Sequence, residues 1–264
     1  MESPIIVIRP IREEDCLAAK RVVFEGTLEP VNRFFFKSIF RETCAQAMVM
    51  VAALLYIVVG VKFQYCFLAI PIVIITTYVG VWTAHYYKAK YLHHDMKDIM
   101  KTYMSTDKNT CFFVAEALYS PENKNRIPAF VSDIEFNKMN WNGFYTSSPD
   151  ISKQIVGTIA IARYKSSSVI AWLRRTAVKK EWRKKGVGSQ LVDAVIRFCS
   201  QKGFVGIELV TTECHDSAKV LYEKKKFDTM AFYHKKLLNY TGLYITMYVM
   251  HYKTAPYSKT SMES

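Results

Sequence analysis

The chain lacks clustered cysteines and is poor in acidic residues. Its six cysteines are widely scattered and include no Cys-x-x-Cys pair, which argues against a zinc site or a disulfide framework and favours free thiols in a reducing compartment. It has 23 Asp and Glu against 36 Lys and Arg, a formal net charge of +13. We therefore expect an anionic partner: nucleic acid, an acidic membrane surface or a phosphorylated ligand. Composition alone does not choose among these three.

Two segments, residues 44–61 and 65–84, lack charged side chains altogether. At about 1.5 Å per residue, each would approach the hydrocarbon thickness of a bilayer, about 30 Å. Neither segment has a polar face, which argues against the alternative of two buried helices in a soluble core. We therefore predict a membrane hairpin over residues 44–84, in which Pro71 is tolerated as a kink. A hairpin that crosses the bilayer and a wedge that only dips into it both agree with this pattern.

Basic residues flank the hairpin, whereas the link between its two halves carries only Lys62. The positive-inside rule then predicts that both ends of the hairpin, and the domain attached to them, face the cytoplasm. The first apolar segment starts too far from Met1 for a standard signal peptide. A glycosylation sequon at Asn239 offers a test, because glycosylation there would mean a lumenal domain. The flanking basic residues are Arg33, Lys37, Arg41, Lys88 and Lys90.

Apolar periodicity and turn-forming residues divide the rest of the chain into strands and helices without an internal repeat. Residues 121–154 are polar and rich in turn formers, which predicts a long loop, and residues 255–264 are predicted to be a disordered tail. The pattern indicates one α/β or α+β domain, built from residues 1–43 and 85–254 and interrupted near its start by the hairpin. The predicted strands are 4–11, 110–119, 154–164, 168–178, 206–213, 230–237 and 243–253, and the predicted helices are 12–26, 93–104, 186–203 and 215–227.

A basic, glycine-containing stretch, Glu-Trp-Arg-Lys-Lys-Gly-Val-Gly, joins a predicted strand to a predicted helix and ends at Gly188. A helix N-terminus presents free backbone N–H groups and the positive end of the helix dipole, which together suit a pyrophosphate. Gly186 and Gly188 would let the backbone approach such a ligand closely. The stretch lacks the third glycine of a Rossmann fingerprint, since that position is Leu191, and it lacks the Gly-Lys-Ser/Thr of a P-loop.

Two motifs resemble those of the GNAT N-acetyltransferases. Arg183, Gly186 and Gly188 match the family's Arg-x-x-Gly-x-Gly coenzyme A loop. The early apolar insertion and a Leu-Arg-Arg-x-Ala-Val strand are most similar to the membrane-bound N-acetyltransferase 8-like branch, which includes cysteine-conjugate, aspartate and proposed protein-lysine acetyltransferases. The resemblance covers residues 5–27 and 93–252. The family's Ala-x-x-Leu-Tyr-x-Lys-x-Gly-Phe helix is matched at Ala218, Leu221, Tyr222, Lys224 and Phe227.

The resemblance implies a GNAT fold with a mixed central sheet, and acetyl-CoA as the acetyl donor. Tyr222 would donate a proton to the leaving thiolate, and Glu213 or His215 would relay the amine proton. Of two adjacent arginines on one strand, Arg175 rather than Arg174 would hold a substrate carboxylate. The implied donor-binding residues are Thr176, Ala177 and Val178 for the pantetheine, and Arg183, Lys184, Lys185, Gly186, Val187, Gly188 and Ser189 for the pyrophosphate.

Three positions depart from the family pattern. Lys226 stands where many members have glycine, and His215 where others have asparagine. Trp172 occupies a strand position that holds a general-base Glu in some members. The departures at Trp172 and Lys226 keep open a second hypothesis, a GNAT-fold membrane scaffold that binds its ligand without turnover.

The sequence thus predicts a membrane-anchored N-acetyltransferase of the endoplasmic reticulum with a cytosolic catalytic domain. A primary amine would attack acetyl-CoA directly, and a small amino-acid-like acceptor is favoured over protein lysines. We expect no nucleic-acid partner, because the basic residues are not interleaved with a stacking platform or a reader motif. We also expect no metal: His93, His94 and Asp95 are wrongly spaced for joint coordination and are interpreted as an interfacial or solvated patch. No pattern indicates an oligomeric state.

Overall fold

Eight strands form the centre of the structure. The computed structural model describes residues 3–92, 94–104, 109–138, 151–164, 167–236 and 244–254. The strands are β1 (Ile5–Pro10), β2 (Cys111–Tyr119), β3 (Ala129–Ser132), β4 (Ser152–Tyr164), β5 (Ser167–Val178), β6 (Gly206–Thr212), β7 (Asp228–Lys236) and β8 (Tyr244–Lys253). They form one sheet in the order β3-β1-β2-β4-β5-β6-β8-β7. The β1–β3 and β5–β6 pairs are parallel and the other neighbours antiparallel, which confirms the predicted mixed sheet.

Helices cover both faces of this sheet, and the remaining ones pack mainly on other helices. They are α1 (Cys16–Leu28), α2 (Val31–Ile39), α3 (Glu42–Ile57), α4 (Ala69–Tyr87), α5 (Ile99–Tyr103), α6 (Asp133–Lys138), α7 (Val187–Gln201) and α8 (Asp216–Lys224). Alternation along β4 separates the two layers: Ile159 and Ile161 join the core beneath α7, whereas Ala160 joins the core beneath α1 and α5. The site described below lies where the α7 layer meets the edges of β5 and β6.

Helix α7 forms because its apolar residues recur on one face. Leu191, Val192, Val195 and Cys199 are fully buried, as the periodicity predicts. Gly203 follows the helix with a φ of +75°, a left-handed conformation that ends helices. All six cysteines are free thiols, also as predicted, and five of them are buried.

The apolar segments form α3 and α4, with a 3-10 turn at Phe63–Leu68 between them. Their large side chains remain exposed, for example Ile57 at 75% and Val49 at 70%, so the alternative of buried core helices is wrong. Within the described ranges, one helical stretch of 29 residues, Phe63–Tyr91, is long and apolar enough to cross a membrane. A second candidate arises only if Glu13–Ile39 and Glu42–Ile57, which meet at a bend of 67°, are taken as one span.

Three local predictions are corrected by the structure. The predicted helix 93–104 is interrupted, because Asp98 starts a new helix, α5, by accepting a hydrogen bond from the backbone N–H of Lys101 at 3.0 Å. The predicted loop 121–154 contains β3, which pairs with β1, as well as α6 and the start of β4. The basic segment before the hairpin contains a helix, α2, that was predicted only as a charged flank. Residues 139–150, Asn239 and the tail 255–264 lie outside the described residues.

Candidate active site

Strands β5 and β6 diverge part of the way along the sheet. They pair in parallel only from Ile170 to Leu173 of β5. Beyond Leu173, β5 continues to Val178 against β4, and β6 continues to Thr212 against β8. Within the part of the chain that is described, the β6-facing edge of residues 174–178 therefore has no strand partner. Unpaired backbone N–H and C=O groups on such an edge are available to an extended, amide-containing ligand.

Helix α7 begins beside this opening. Its first intrahelical hydrogen bond runs from the N–H of Gln190 to the carbonyl of Gly186 at 3.1 Å. The amides of Val187, Gly188 and Ser189 therefore have no acceptor within the helix. These amides and the positive end of the helix dipole form a site suited to an anion.

The two glycines of the loop are required for different reasons. Gly186 takes a φ of +88°, a left-handed conformation that residues with a Cβ adopt at a cost. A Cβ on Gly188 would lie 3.1 Å from Cδ2 of Leu221 and 3.9 Å from Cγ2 of Val178. Gly188 therefore lets the start of α7 pack closely against α8 and β5. This packing role adds to the ligand access that the sequence predicts.

The basic side chains of the loop are mostly engaged by the protein. Arg183 donates its Nε–H to the last carbonyl of β5 at 2.8 Å and pairs with the carboxylate of Glu29. Lys185 lies over the Trp182 ring, 4.8 Å from its centroid, and donates to a backbone carbonyl before β3 at 2.7 Å. Lys184 is exposed, and no carboxylate among the described residues pairs with it. The anion site therefore rests on backbone amides, with Lys184 as the available cation.

Tyr222 reaches across the opening from α8 toward β5. It is buried, at 4% exposure, and its ring packs against Phe227 at 5.6 Å between centroids. Its phenol lies beside the hydroxyl of Thr176 on β5. The buried Thr176 Oγ1 has no partner of hydrogen-bonding geometry among the described residues. Burial raises the pKa of Tyr222 to about 12, and the Thr176 hydroxyl opposes that rise. The phenol therefore keeps its proton at neutral pH, as a proton donor must.

Glu213 is held in an ion pair at the end of β6. Arg41 donates to its Oε1 at 2.8 Å, and the backbone N–H of Thr246 donates to the same oxygen at 3.1 Å. Lys37 donates to the Glu213 backbone carbonyl at 2.6 Å. The carboxylate thus attaches the segment before α3 to the sheet. Its role in proton relay stays a prediction.

His215 precedes the first residue of α8 and is held by one ring nitrogen. Its Nδ1 lies 2.6 Å from Oγ1 of Thr212, which also accepts the backbone N–H of Cys214 at 3.3 Å. In the tautomer whose Nδ1–H donates to Thr212, the Nε2 carries a lone pair, and no described residue bonds to it. Burial, followed by the positive charge of Lys88, lowers the pKa of His215 to about 4. The imidazole is therefore neutral at pH 7.

Arg175 binds a carboxylate of the chain itself. Its Nε donates to Oδ2 of Asp95 at 2.8 Å, and its second nitrogen pairs with Oδ1. Asp95 is therefore an enclosed ion-pair residue, and its interpretation as part of a solvated patch is wrong; His94 is exposed, and His93 lies outside the described residues. In the described ranges, no group of three or more His, Cys, Asp or Glu could hold a metal ion.

The motifs did not identify Asp95, Lys37 or Arg41 as part of this region. Each one contacts a residue far away in the chain. The sequence predicts Lys37 and Arg41 only as membrane flanks, and Asp95 only as part of an interfacial or solvated patch. The available signal is chemical: a pair of arginines on a half-buried strand requires a carboxylate partner.

A mixed sheet that opens beside a free helix N-terminus, with a buried tyrosine across the opening, agrees with the GNAT fold that the motifs predict. Comparison with known proteins agrees: the family profile for the acetyltransferase (GNAT) domain matches residues 141–229. The part of the chain from β4 to the start of β7 therefore resembles a GNAT acetyltransferase domain.

Three named relatives are consistent with the N-acetyltransferase 8-like branch. The probable N-acetyltransferase camello of Xenopus laevis is 27% identical over 143 residues, which is 54% of this chain and 49% of that protein. The N-acetyltransferase family 8 member 3 of Rattus norvegicus is 25% identical over 83% of this chain and 82% of its own length. The N-acetylaspartate synthetase of Danio rerio is 24% identical over 84% of this chain and 66% of its own length. The match spans about half the length of the camello relatives.

Proposed function

We propose that the chain is a membrane-anchored enzyme that transfers an acetyl group from acetyl-CoA to a primary amine. The observation that carries this proposal is the opening between β5 and β6 next to the free amides of residues 187–189. Acetyl-CoA fits the chemistry of these residues. The amides and Lys184 suit its pyrophosphate, and the edge at residues 174–178 suits its pantetheine amides. Bound there, acetyl-CoA supplies an activated acetyl thioester.

The side chains around the opening would move two protons. The amine nitrogen bonds to the acetyl carbon as the carbon–sulfur bond breaks, and the electron pair of that bond leaves on sulfur. Tyr222 donates its phenolic proton to the sulfur, and Nε2 of His215 accepts the proton that the amine loses, directly or through a water molecule. An amide and a thiol result. Glu213 remains the alternative relay, although its ion pair with Arg41 favours His215.

The proposed acceptor is a small amino-acid-like amine, with a lysine of a protein as the second choice. One relative is named for the synthesis of N-acetylaspartate, which is an acetylated amino acid. The predicted contact between Arg175 and an acceptor carboxylate would require Asp95 to leave the guanidinium, because Asp95 already holds the same two nitrogens.

The anchor in this proposal is the pair α3 and α4, placed in the endoplasmic reticulum membrane with the domain in the cytosol. The exposed apolar side chains of both helices support it, as does the stretch of spanning length found among the described residues. The base of the anchor is attached to the acceptor end of the sheet: Val81 of α4 packs with Phe34 of α2 and with Cys214, next to His215. The acceptor would then enter close to the membrane surface.

The test uses the full chain in detergent micelles. We expect acetyl-CoA to bind in calorimetry, and free thiol to be released with at least one amine from a panel of amino acids, cysteine conjugates and lysine peptides. Ser189→Pro removes one free amide in the first turn, where proline is tolerated, and should weaken acetyl-CoA binding by about 10-fold. Ser189→Ala keeps that amide and serves as the matched control. Tight binding without thiol release on any amine would support the inactive scaffold instead.

A further inference from the structure

The ion pair between Arg175 and Asp95 joins two distant parts of the chain. The two side chains are only 12% and 10% exposed, and the guanidinium meets both carboxylate oxygens. The hydroxyl of Tyr103, a fully buried residue of α5, donates to Oδ2 of the same carboxylate. Arg174 adds a longer contact of 3.6 Å to Oδ1. A carboxylate with this many donors holds its partners in one geometry.

Arg175 lies at a bulge in β5. Thr158 of β4 faces Ala177 and Ala160 faces Arg174, so a single β4 residue between them opposes two residues of β5. Arg175 takes a φ of +56°, in the left-handed region that residues with a Cβ avoid. The Thr158 hydroxyl donates to the Arg175 carbonyl at 2.9 Å. The bulge is therefore held by the Thr158 hydroxyl of β4 and by the ion pair between Arg175 and Asp95.

The bulge lies directly before the edge that the proposed function assigns to the pantetheine. Ala177 faces α1, where a Cβ on Gly26 would come within 3.0 Å of it, whereas Val178 contacts the α7 layer. The path of the backbone through Arg175 therefore sets which groups of residues 176–178 lie on the open edge. Loss of the ion pair would let Arg175 relax toward an extended conformation and move that edge.

Asp95 keeps its negative charge throughout the physiological range. Burial alone would raise its pKa, but the hydrogen bonds from Arg175 and Tyr103 outweigh burial and hold the pKa of Asp95 well below its usual range. Because the guanidinium is also permanently charged, the pair does not change with pH under physiological conditions. It is a constant feature of the site.

We propose that Asp95 is a positioning residue for acetyl-CoA: it holds Arg175 in the bulge and thereby fixes the open edge of β5. The inference rests on the proposed function. In this proposal Arg175 binds Asp95 of the same chain instead of an acceptor carboxylate. The short segment between α4 and α5, which carries Asp95, then connects the apolar anchor to the donor site.

The test compares Asp95→Asn with Asp193→Asn in the full chain in detergent micelles. Asp193 is a matched control because it also forms a short ion pair, with Lys225 at 2.6 Å, but this pair joins α7 to the residue that follows α8. We expect Asp95→Asn to raise the Kd and the KM for acetyl-CoA by about 10-fold, since small misplacements of bound reactants are costly. The KM for the acceptor should change less than twofold. Asp95→Glu should recover part of the loss, and Asp193→Asn should match the wild type.

Two results would overturn the proposal. The first is an unchanged Kd for acetyl-CoA with fewer active sites by titration, which indicates a purely structural role. The second is an unchanged Kd for acetyl-CoA with a lower KM for carboxylate-bearing acceptors, which indicates that Asp95 competes for Arg175. Should Asp95→Asn not fold, Tyr103→Phe removes a single donor and must still weaken acetyl-CoA binding about threefold. A wild type that binds no acetyl-CoA refutes the proposed function itself.

Discussion

The hydroxyl of Tyr222 is the part of the side chain that the proposed chemistry uses, so removing it separates a catalytic role from a packing role. In Tyr222→Phe the ring still fills the core beside Phe227, and only the proton donor is lost. If Tyr222 protonates the leaving thiolate, kcat should fall by roughly 10²-fold, while the Kd for acetyl-CoA stays within about twofold. Steady-state thiol release and calorimetry on the same preparation measure both quantities. A kcat within threefold of the wild type would leave Tyr222 as a packing residue.

Lys226 carries a conformational cost that glycine would remove. It takes a φ of +64° just after α8, where the N–H of Phe227 bonds to the carbonyl of Tyr222 at 3.0 Å in a Schellman-type helix end. Lys226 therefore adopts, at a cost, the left-handed conformation that a glycine at this position would adopt freely. Lys226→Gly should stabilise the fold by about 1 kcal/mol and raise the thermal midpoint by about 2–4 °C.

The control for this variant is Lys224→Gly, which replaces the last helical residue of α8. Because that residue already has right-handed geometry, glycine there should lower the free energy of unfolding by about 0.5–1 kcal/mol. If both variants shift the midpoint in the same direction, the strain at Lys226 is not what limits stability.

His215 should make stability depend on pH below neutrality. Its pKa is lowered to about 4 in the folded state, from about 6.5 for an unperturbed imidazole. Between these two values the unfolded chain binds more protons than the folded one, so the stability present above pH 6.5 is lost as the pH falls toward 4. Thermal midpoints from pH 4 to 7 should fall less steeply in His215→Asn than in the wild type. Equal slopes would mean that the pKa of His215 is the same in the folded and the unfolded chain.

At the scale of elements, what the sequence predicts depends on how local the signal is. Helix α7 and the strands beside it were predicted because each carries its own apolar period. Strand β3 was not, since four residues pair with β1 without a distinct local pattern. The glycine loop was predicted from its motif, whereas the partner of Arg175 was missed because Asp95 lies 80 residues away. Side-chain pairs that are brought together only by the folded sheet produce no periodic pattern in the sequence.

The contact between Arg41, in the segment before α3, and Glu213, at the end of β6, should contribute to stability. Arg41 and Glu213 are 15% and 17% exposed, so Arg41→Ala leaves a largely buried carboxylate whose remaining donor among the described residues is the Thr246 N–H. We expect a loss of about 1–3 kcal/mol in stability and faster amide hydrogen exchange at residues 213–216.

Arg33→Ala is the control for that contact. Arg33 pairs with Asp216 in the same region at 3.1 Å, but the two side chains are 59% and 63% exposed. An exposed pair of this kind contributes little, so the variant should stay within about 0.5 kcal/mol of the wild type. A loss as large as that of Arg41→Ala would show that the whole segment, rather than the buried pair, is what stabilises the junction.

At the scale of the whole molecule, the anchor and the domain share contacts. Lys37 and Arg41, which the positive-inside rule counts as cytoplasmic flanks, bond to Glu213. These two cations therefore also hold the segment before α3 against the end of β6. In the proposed orientation, the basic flanks of α3 and α4 lie on the cytosolic side, as the positive-inside rule predicts, and the apolar side chains that both helices expose face the bilayer.

This arrangement predicts that the full chain sediments with membranes, resists extraction at high pH and dissolves in detergent. In sealed microsomes with the cytosolic face outward, added protease should degrade the domain, whereas a lumenal marker protein in the same vesicles stays intact. Asn239 should carry no glycan, because the sequon of a cytosolic domain does not meet the lumenal enzymes. A mobility shift on deglycosylation that Asn239→Gln abolishes would place the domain in the lumen. The anchor would then remain as proposed, but its orientation, and the cytosolic supply of acetyl-CoA, would be reversed.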